Sequence, residues 1–464
     1  MDKKYGFYVI FDRLSVVVIS LFALECILGC SGQWMRFGPI SIRMVLFAIC
    51  FVFTLPNVFR NLKALLRTPH VIWAVLLGVY LVIAAVIGWR NGNALDFIKS
   101  DLTGYMALGL LPGILSTVNT RQRVARLTDM VFYGSIALGA VTVILHFFFA
   151  FAQDLHINQF NNWINNHFMG GLATMATGLQ RIYFRSHIFL QVGLIIGLQK
   201  IWCKKGRTRW LLFGAEAILA YACLMTYTRG FWLGFALSAV ILLALYPWQW
   251  KRYLSTLGIT TLLLAVLFAL SAFTYGKPYA AIEVVNRFDP DLISGAIFLP
   301  TPSEDPTDPS QTDPTDPEET NPTDPNANQL SVQIRQETLR LLGERIGDKP
   351  LFGNGLGANL DEIRNDGKVE YMYYDVILKT GLVGFVLFCG AFFLPAFGLL
   401  KRRLAALVCK KEPPWDSLEM QNTTTLTAFL GVAITSYLNP FLLNPMGILL
   451  VMLLSAANRC ENIQ

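Results

Sequence analysis

Long apolar runs alternate with short polar connections along the chain, and one stretch breaks that rhythm. Apolar windows fall at 14–30, 39–56, 71–88, 103–117, 128–152, 187–202, 210–226, 230–247, 254–274, 376–400, 422–438 and 443–457. A helix needs about twenty apolar residues to cross a bilayer, so the windows predict about twelve transmembrane helices. The expected fold is an all-α polytopic membrane protein. It divides into residues 1–274 with the first nine spans, an excursion over 275–375, and 376–464 with the last three spans.

The excursion has its own pattern. Over residues 301–329, Asp-Pro and Pro-Thr-Asp recur. Proline removes backbone donors and clashes with helical neighbours, and the acids repel one another. A disordered, solvated spacer is predicted there. The regular ligand spacing of a calcium loop is missing, so no calcium site is expected. Residues 331–347 then read as an amphipathic helix, with Val332, Leu339, Leu342 and Ile346 on one stripe. Arg335 shares that stripe. An arginine on an apolar face is costly unless it meets a carboxylate or another anion; snorkelling to lipid headgroups is the plainer role.

Charge adds an orientation. Lys3-Lys4, Arg60/Lys63/Arg67, Arg121/Arg123/Arg126, Lys204-Lys205/Arg207/Arg209, Lys251-Arg252 and Lys401-Arg402-Arg403 fall on alternate connections. Basic loops stay on the cytoplasmic side, so both termini are predicted inside and the excursion outside. Composition agrees with a membrane protein: 54% of the 464 residues are hydrophobic, 15% are charged, and the mean hydropathy is +0.47. The net charge is +7, and the acidic tract alone holds eight acids without Lys or Arg. The positive surplus therefore sits in short loops and reads as topology, not as a nucleic-acid surface. Eight cysteines show no CxxC pair, so neither a disulfide framework nor a metal site is expected.

Polar chemistry gathers on the predicted outer side. The loop 153–186 is rich in Asn and aromatic residues, which suit sugars or any wet interface, and it leads into Gln180-Arg-Ile-Tyr-Phe-Arg-Ser-His187. Thr226-Tyr-Thr-Arg-Gly-Phe-Trp-Leu-Gly234 joins two spans through a very short turn. Arg229 is thereby held at the membrane boundary, where a buried arginine costs about 2.5–3.5 kcal/mol and marks function; anchoring beside Trp232 is the plainer reading. Leu351-Phe-Gly-Asn-Gly-Leu-Gly357 follows no strand, so it is a tight turn and not a dinucleotide site. Glu370-Tyr-Met-Tyr-Tyr-Asp375 leads into the next span. Within spans, Glu25 and Glu216 are expected to pair with a Tyr, Ser or Lys.

These blocks resemble a known family. Thr228-Arg-Gly-Phe-Trp-Leu-Gly234 is similar to the Ser/Thr-Arg-Gly/Ser signature of the O-antigen ligase and O-antigen polymerase superfamily. Arg335, followed by Pro350-Leu-Phe-Gly-Asn-Gly-Leu-Gly357, resembles that family's arginine helix and glycine block, and Glu370–Gly384 resembles its segment ending in Gly-Leu-x-Gly. Arg181 is similar in placement to a further arginine of the family. The resemblance implies a GT-C-like glycosyltransferase of the cytoplasmic (inner) membrane, acting on its outer face. It implies an undecaprenyl-pyrophosphate-linked glycan as donor and a glycan as acceptor, with no metal and no cofactor. The catalytic residues it implies are Arg229 and Arg335 on the pyrophosphate and Glu370 as general base. Arg181, Arg185, Asp375 (a second base candidate) and Tyr373, with Tyr371 and Tyr374 beside it, would bind substrate. Membrane lipids, and a chain-length regulator or flippase, are the expected partners; nucleic acid is not. Ligases of the family carry His-Asn where this chain has Glu370-Tyr371, which favours a polymerase of oligosaccharide repeats over a ligase of finished glycan. A twelve-span transporter is the rival from another class, but it would show two related halves, and none are visible. An inactive scaffold leaves the boundary arginines unexplained.

Overall fold

The computed structural model describes residues 3–29, 35–38, 40–151, 157–168, 170–175, 177–287, 327–360, 369–409, 414 and 417–461. It is a helical bundle. In chain order come α1 (Lys3–Leu28), α2 (Ile42–Arg60), α3 (Pro69–Arg90), α4 (Leu95–Met106), α5 (Leu111–Thr117), α6 (Arg121–Phe151) and α7 (Ile157–Phe168). An antiparallel hairpin follows, β1 (Gly170–Thr174) with β2 (Gln180–Phe184), in register from Gly170 opposite Phe184 to Thr174 opposite Gln180. Then come α8 (Ile188–Cys203), α9 (Gly206–Met225), α10 (Arg229–Leu245), α11 (Trp250–Tyr275), α12 (Tyr279–Asn286), α13 (Ala327–Asp348), α14 (Met372–Val408), α15 (Leu418–Thr435) and α16 (Pro445–Glu461).

Burial sorts these helices. From Ile188 to Gln199 every side chain of α8 is buried, and so is nearly all of α16. A helix that is apolar all round belongs at the centre of a bundle. At the rim, α11 turns Leu262, Val266 and Phe273 outward, and α3 turns Val75, Val79 and Val82 outward. Apolar faces of that extent need lipid.

Among the described residues, seven helical stretches are long and apolar enough to cross a membrane: Ile42–Arg60, Pro69–Arg90, Arg121–Phe151, Arg185–Cys203, Gly206–Met225, Pro247–Tyr275 and Met372–Val408. The apolar helix α10 is shorter. The predicted count of about twelve exceeds this for local reasons. The window 103–117 is divided among α4, a 3-10 turn at Ala107–Leu110 and α5, which Pro112 opens. Helix α15 buries Asn422, Thr423, Thr424, Thr425 and Thr427, and α16, seventeen residues long, carries Asn458 and Arg459, so neither is among the seven. The predicted acidic spacer lies outside the described residues up to Asn326; α13 starts at Ala327, ahead of the predicted 331.

The glycine turn at 351–357 is the joint of the molecule. Helix α14 breaks at Gly381, whose φ is +63°. At membrane depth each backbone group freed by a break needs a partner. The turn supplies them: Asn354 N donates to Leu378 O at 2.8 Å, Gly355 N to Lys379 O at 3.0 Å, and Leu382 N reaches Pro350 O at 2.8 Å. Tyr80 Oη donates to Thr380 O at 2.8 Å from α3, and Leu356 N donates to Ala84 O at 3.0 Å. The turn is therefore wedged between α3 and the break. Gly355 has φ +84°, and a Cβ there would sit 2.1 Å from Gly88 N. Gly355→Ala should cost about 1–3 kcal/mol through overpacking and strain. A thermal melt of the detergent-solubilised protein should show a lower midpoint; an unchanged midpoint would refute the wedge.

Beneath the turn lies a buried ionic knot. Lys379 Nζ is 2.9 Å from Asp101 Oδ1 and 2.9 Å from Asp375 Oδ1. Asp101 Oδ2 also accepts the Gly357 N–H at 2.7 Å. The knot ties α4, the glycine turn and α14 together.

Candidate functional site

Arginines gather at one end of the bundle, where α9 passes into α10, α11 into α12, and α14 begins. The turn between α9 and α10 is strained. Tyr227 is buried with φ +50°, a left-handed conformation that costs a non-glycine residue of order 1–3 kcal/mol. Arg181, from β2, clamps this turn: its Nε donates to Thr226 O at 2.7 Å and its Nη2 to Thr228 Oγ1 at 3.1 Å. Thr228 is the N-cap residue of α10, yet its side chain makes no cap bond. Its hydroxyl accepts from Arg181 and donates to Thr226 O at 3.2 Å instead. Arg229 is then the first residue of a seventeen-residue helix. The positive end of the helix dipole thus lies at Arg229, an end suited to an anion.

On the other side of the site, Arg335 of α13 meets Glu370. Arg335 Nε is 3.8 Å from Glu370 Oε2, and the two side chains are 35% and 41% exposed. Both are therefore open to a ligand. Helix α13 is held by Leu342, which packs with Tyr371 and Leu378 at the start of α14. Tyr371, Tyr374 and Tyr437 pack edge to face, with ring centroids 5.7–6.3 Å apart. Burial pushes the Tyr371 phenol up to about 12, against the pull of the Arg335 charge.

The two sides are linked by Arg287, which the sequence reading did not single out. It closes α12. Glu283, one turn earlier, accepts from Thr177 N at 3.2 Å and Thr177 Oγ1 at 2.8 Å, docking α12 on the hairpin turn. Ala280 packs against Met175, Leu179 and Tyr227. Burial lowers the Arg181 guanidinium to about 10, and the charge of Arg287 acts in the same direction. Arg287 is itself lowered by burial, with Arg335 adding to the shift against Glu283 and Tyr227. Arg287 thus lies within electrostatic reach of Arg181 and of Arg335. One sequence signal was available: Lys277 and Arg287 are the only basic residues between Tyr275 and Ile334.

The remaining predicted residues are placed as follows. Arg185 stands beside Tyr183, whose ring Arg181 also approaches at 5.9 Å. Asp375 is turned to Lys379 in the knot beneath the glycine turn, so the structure does not bring it to Arg335. Tyr373 donates to Ala433 O at 2.7 Å and faces α15. Glu25 pairs with Arg43 at 2.6 Å, where a Tyr, Ser or Lys was expected. Glu216 is buried, and its Oε2 has no hydrogen-bond partner among the described residues.

At the opposite end of the bundle the basic loops are tied down by acids. Arg123 bonds Asp12 at 2.9 Å, Lys200 pairs with Asp129, Arg402 with Glu461 at 3.0 Å, and Arg403 with Glu419 at 3.1 Å. Four cations of that end are thus held by carboxylates among the described residues.

No curated protein matches the chain. Residues 214–389 match the family model described as O-antigen ligase. That stretch runs from α9 past the break in α14 and contains Arg229, Arg287, Arg335 and Glu370. The strained turn, the arginine helix and the glycine wedge all fall inside the matched region.

Proposed function

We propose that the protein is a membrane glycosyltransferase that polymerises undecaprenyl-pyrophosphate-linked oligosaccharide repeats at the outer face of the cytoplasmic membrane. The observation that carries this reading is the pairing of Arg335 with Glu370 across 3.8 Å, at the end of the bundle that also holds Arg181 and Arg229. A glycosyl transfer from a lipid pyrophosphate needs two things in one place: cations for the leaving group and a base for the acceptor.

The step follows from that pairing. Glu370 takes the proton of the acceptor hydroxyl. The oxygen attacks the anomeric carbon as the bond to the pyrophosphate oxygen breaks, and lipid pyrophosphate leaves. Negative charge grows on that oxygen in the transition state. Arg229 at the head of α10 and Arg335 stabilise it where it grows, and arginine keeps its charge while binding phosphate bidentately. Arg181 fixes the turn that presents Arg229. Direct displacement inverts the anomeric centre. Tyr374 and Tyr437 offer ring faces to the acceptor sugar.

Reconstitution in proteoliposomes with an undecaprenyl-pyrophosphate oligosaccharide tests this. Wild type should give a ladder of longer glycans, and Arg229→Ala should give none while still inserting. A single transfer to a different acceptor would replace the polymerase reading by the ligase one. Normal turnover by Arg229→Ala would remove the assigned anion site.

A further inference from the structure

Arg229 and Glu370 lie far apart in the chain, and one buried residue of α15 reaches toward both. Helix α15 crosses α10 with almost no space between the backbones. A Cβ on Gly431 would lie 2.6 Å from Gly234 O, and a Cβ on Gly234 would lie 2.8 Å from Gly431 O. Thr435, the last residue of α15, fills the notch that Gly234 leaves; a Cβ there would collide with its Oγ1. Thr435 is buried, and its Oγ1 is 3.0 Å from Gly230 O of α10, 3.0 Å from Gln191 Oε1 of α8 and 3.0 Å from Gly431 O of its own helix. Thr423, Thr424 and Thr425 donate one turn back to carbonyls of α15, the ordinary habit of a helical threonine. Thr435 differs in reaching two other helices.

A hydroxyl has one proton and cannot donate to three oxygens. Gln191 is buried too, and its Nε2 has no hydrogen-bond partner among the described residues. A half-turn of the amide exchanges its oxygen and nitrogen. Turned so, Gln191 donates to Thr435 Oγ1, and the Thr435 proton is left for Gly230 O, the carbonyl next after Arg229. The backbone of Thr435 serves the other side of the site. Its carbonyl accepts from Leu438 N at 3.3 Å, closing the turn that carries Tyr437. Tyr437 packs edge to face on Tyr371, the neighbour of Glu370.

We propose that Thr435, oriented by Gln191, is a positioning residue that holds the Arg229 head of α10 and the Glu370 segment in one geometry for glycosyl transfer. The inference rests on the reading of Arg229 and Glu370 as the two sides of the reacting centre and adds to it the residues that keep them in register. A misplacement of about 1 Å can cost about a hundredfold in rate, and a hydroxyl seated in a glycine notch leaves little slack.

Full-length protein in proteoliposomes with an undecaprenyl-pyrophosphate oligosaccharide tests this, with turnover and donor retention measured on the same preparations. Thr435→Val keeps the shape and removes the hydroxyl. It should lower kcat roughly ten- to a hundredfold, while donor retention stays within about twofold of wild type. Thr435→Ser should recover most of the turnover. Gln191→Leu should match Thr435→Val, and the double variant should be little worse than either single one. Thr425→Val, which removes a hydroxyl bonded to its own helix, should turn over like wild type. The proposal falls if Thr435→Val turns over normally, or if Thr435→Ser is as slow as Thr435→Val. It also falls if retention and melting midpoint drop together with turnover, because that marks a contact that only supports the fold. Arg229→Ala run in parallel separates the two claims. Normal turnover there removes the parent reading, whereas a dead Arg229→Ala beside an active Thr435→Val removes the positioning role alone.

Discussion

Glu370→Gln and Arg335→Gln should each lower glycan extension by about two to four orders of magnitude, the range for removing a positioned base or a charge-stabilising group. The two losses should not add. The side chains meet at 3.8 Å and serve one displacement, so the double variant should fall little below the worse single one. Glu370→Gln keeps shape and hydrogen-bonding capacity but cannot take a proton. It should therefore retain undecaprenyl pyrophosphate as well as wild type does, whereas Arg335→Gln should lose it. Both are part-exposed, so folding should be spared, and a melting midpoint near that of wild type is the control. Equal turnover by Glu370→Gln would transfer the base role to another group.

Lys379→Met should have the largest effect on stability. It leaves Asp101 and Asp375 facing each other without their cation in a site from which water is largely excluded. Breaking a buried pair from one side costs about 3–5 kcal/mol. Asp101 also holds the Gly357 N–H, so the wedge should loosen with it. Neutralising all three positions together, with Asp101→Asn, Lys379→Met and Asp375→Asn, should recover most of the loss, because no lone charge then remains. Thermal unfolding in one detergent measures both. A triple variant no better than the single would mean that the knot acts by shape and not by charge.

The sequence carried much of this site, for reasons that can be named. Arg229 was visible because a short turn between apolar runs leaves an arginine few places to go. Arg335 was visible because it interrupts an apolar stripe at helical spacing, but its meeting with Glu370, across the connection from Asp348 to Met372, was not. The glycine turn announced close packing, though not that its partner is a break in the following helix. Asp375 shows where reading stopped. It precedes Lys379 by four residues, the spacing of a helical ion pair, but the helix was expected to start at 376 and starts at Met372. A boundary shifted by one turn hid the pair and left Asp375 among the candidate bases. Tyr437 was hidden similarly, inside an apolar window that ends as a helix at Thr435. Arg287 follows no motif. Its place depends on α12 folding back onto the hairpin turn, a long-range contact that local pattern does not encode. Among the described residues seven helices have the length and apolarity of a crossing span, and two of the predicted windows fall short of it because one is interrupted near Pro112 and the other is lined with threonine.

The break at Gly381 has a mechanical consequence. An unbroken rod from Met372 to Val408 would pass any tilt at its head straight down through the bilayer. Here the first two turns, which follow Glu370 and carry the tyrosines, are mounted on a glycine joint whose backbone groups are satisfied from a separate segment. The angle of the head is therefore set by the wedged turn and by the salt bridges of Lys379, independently of the shaft seated against α3.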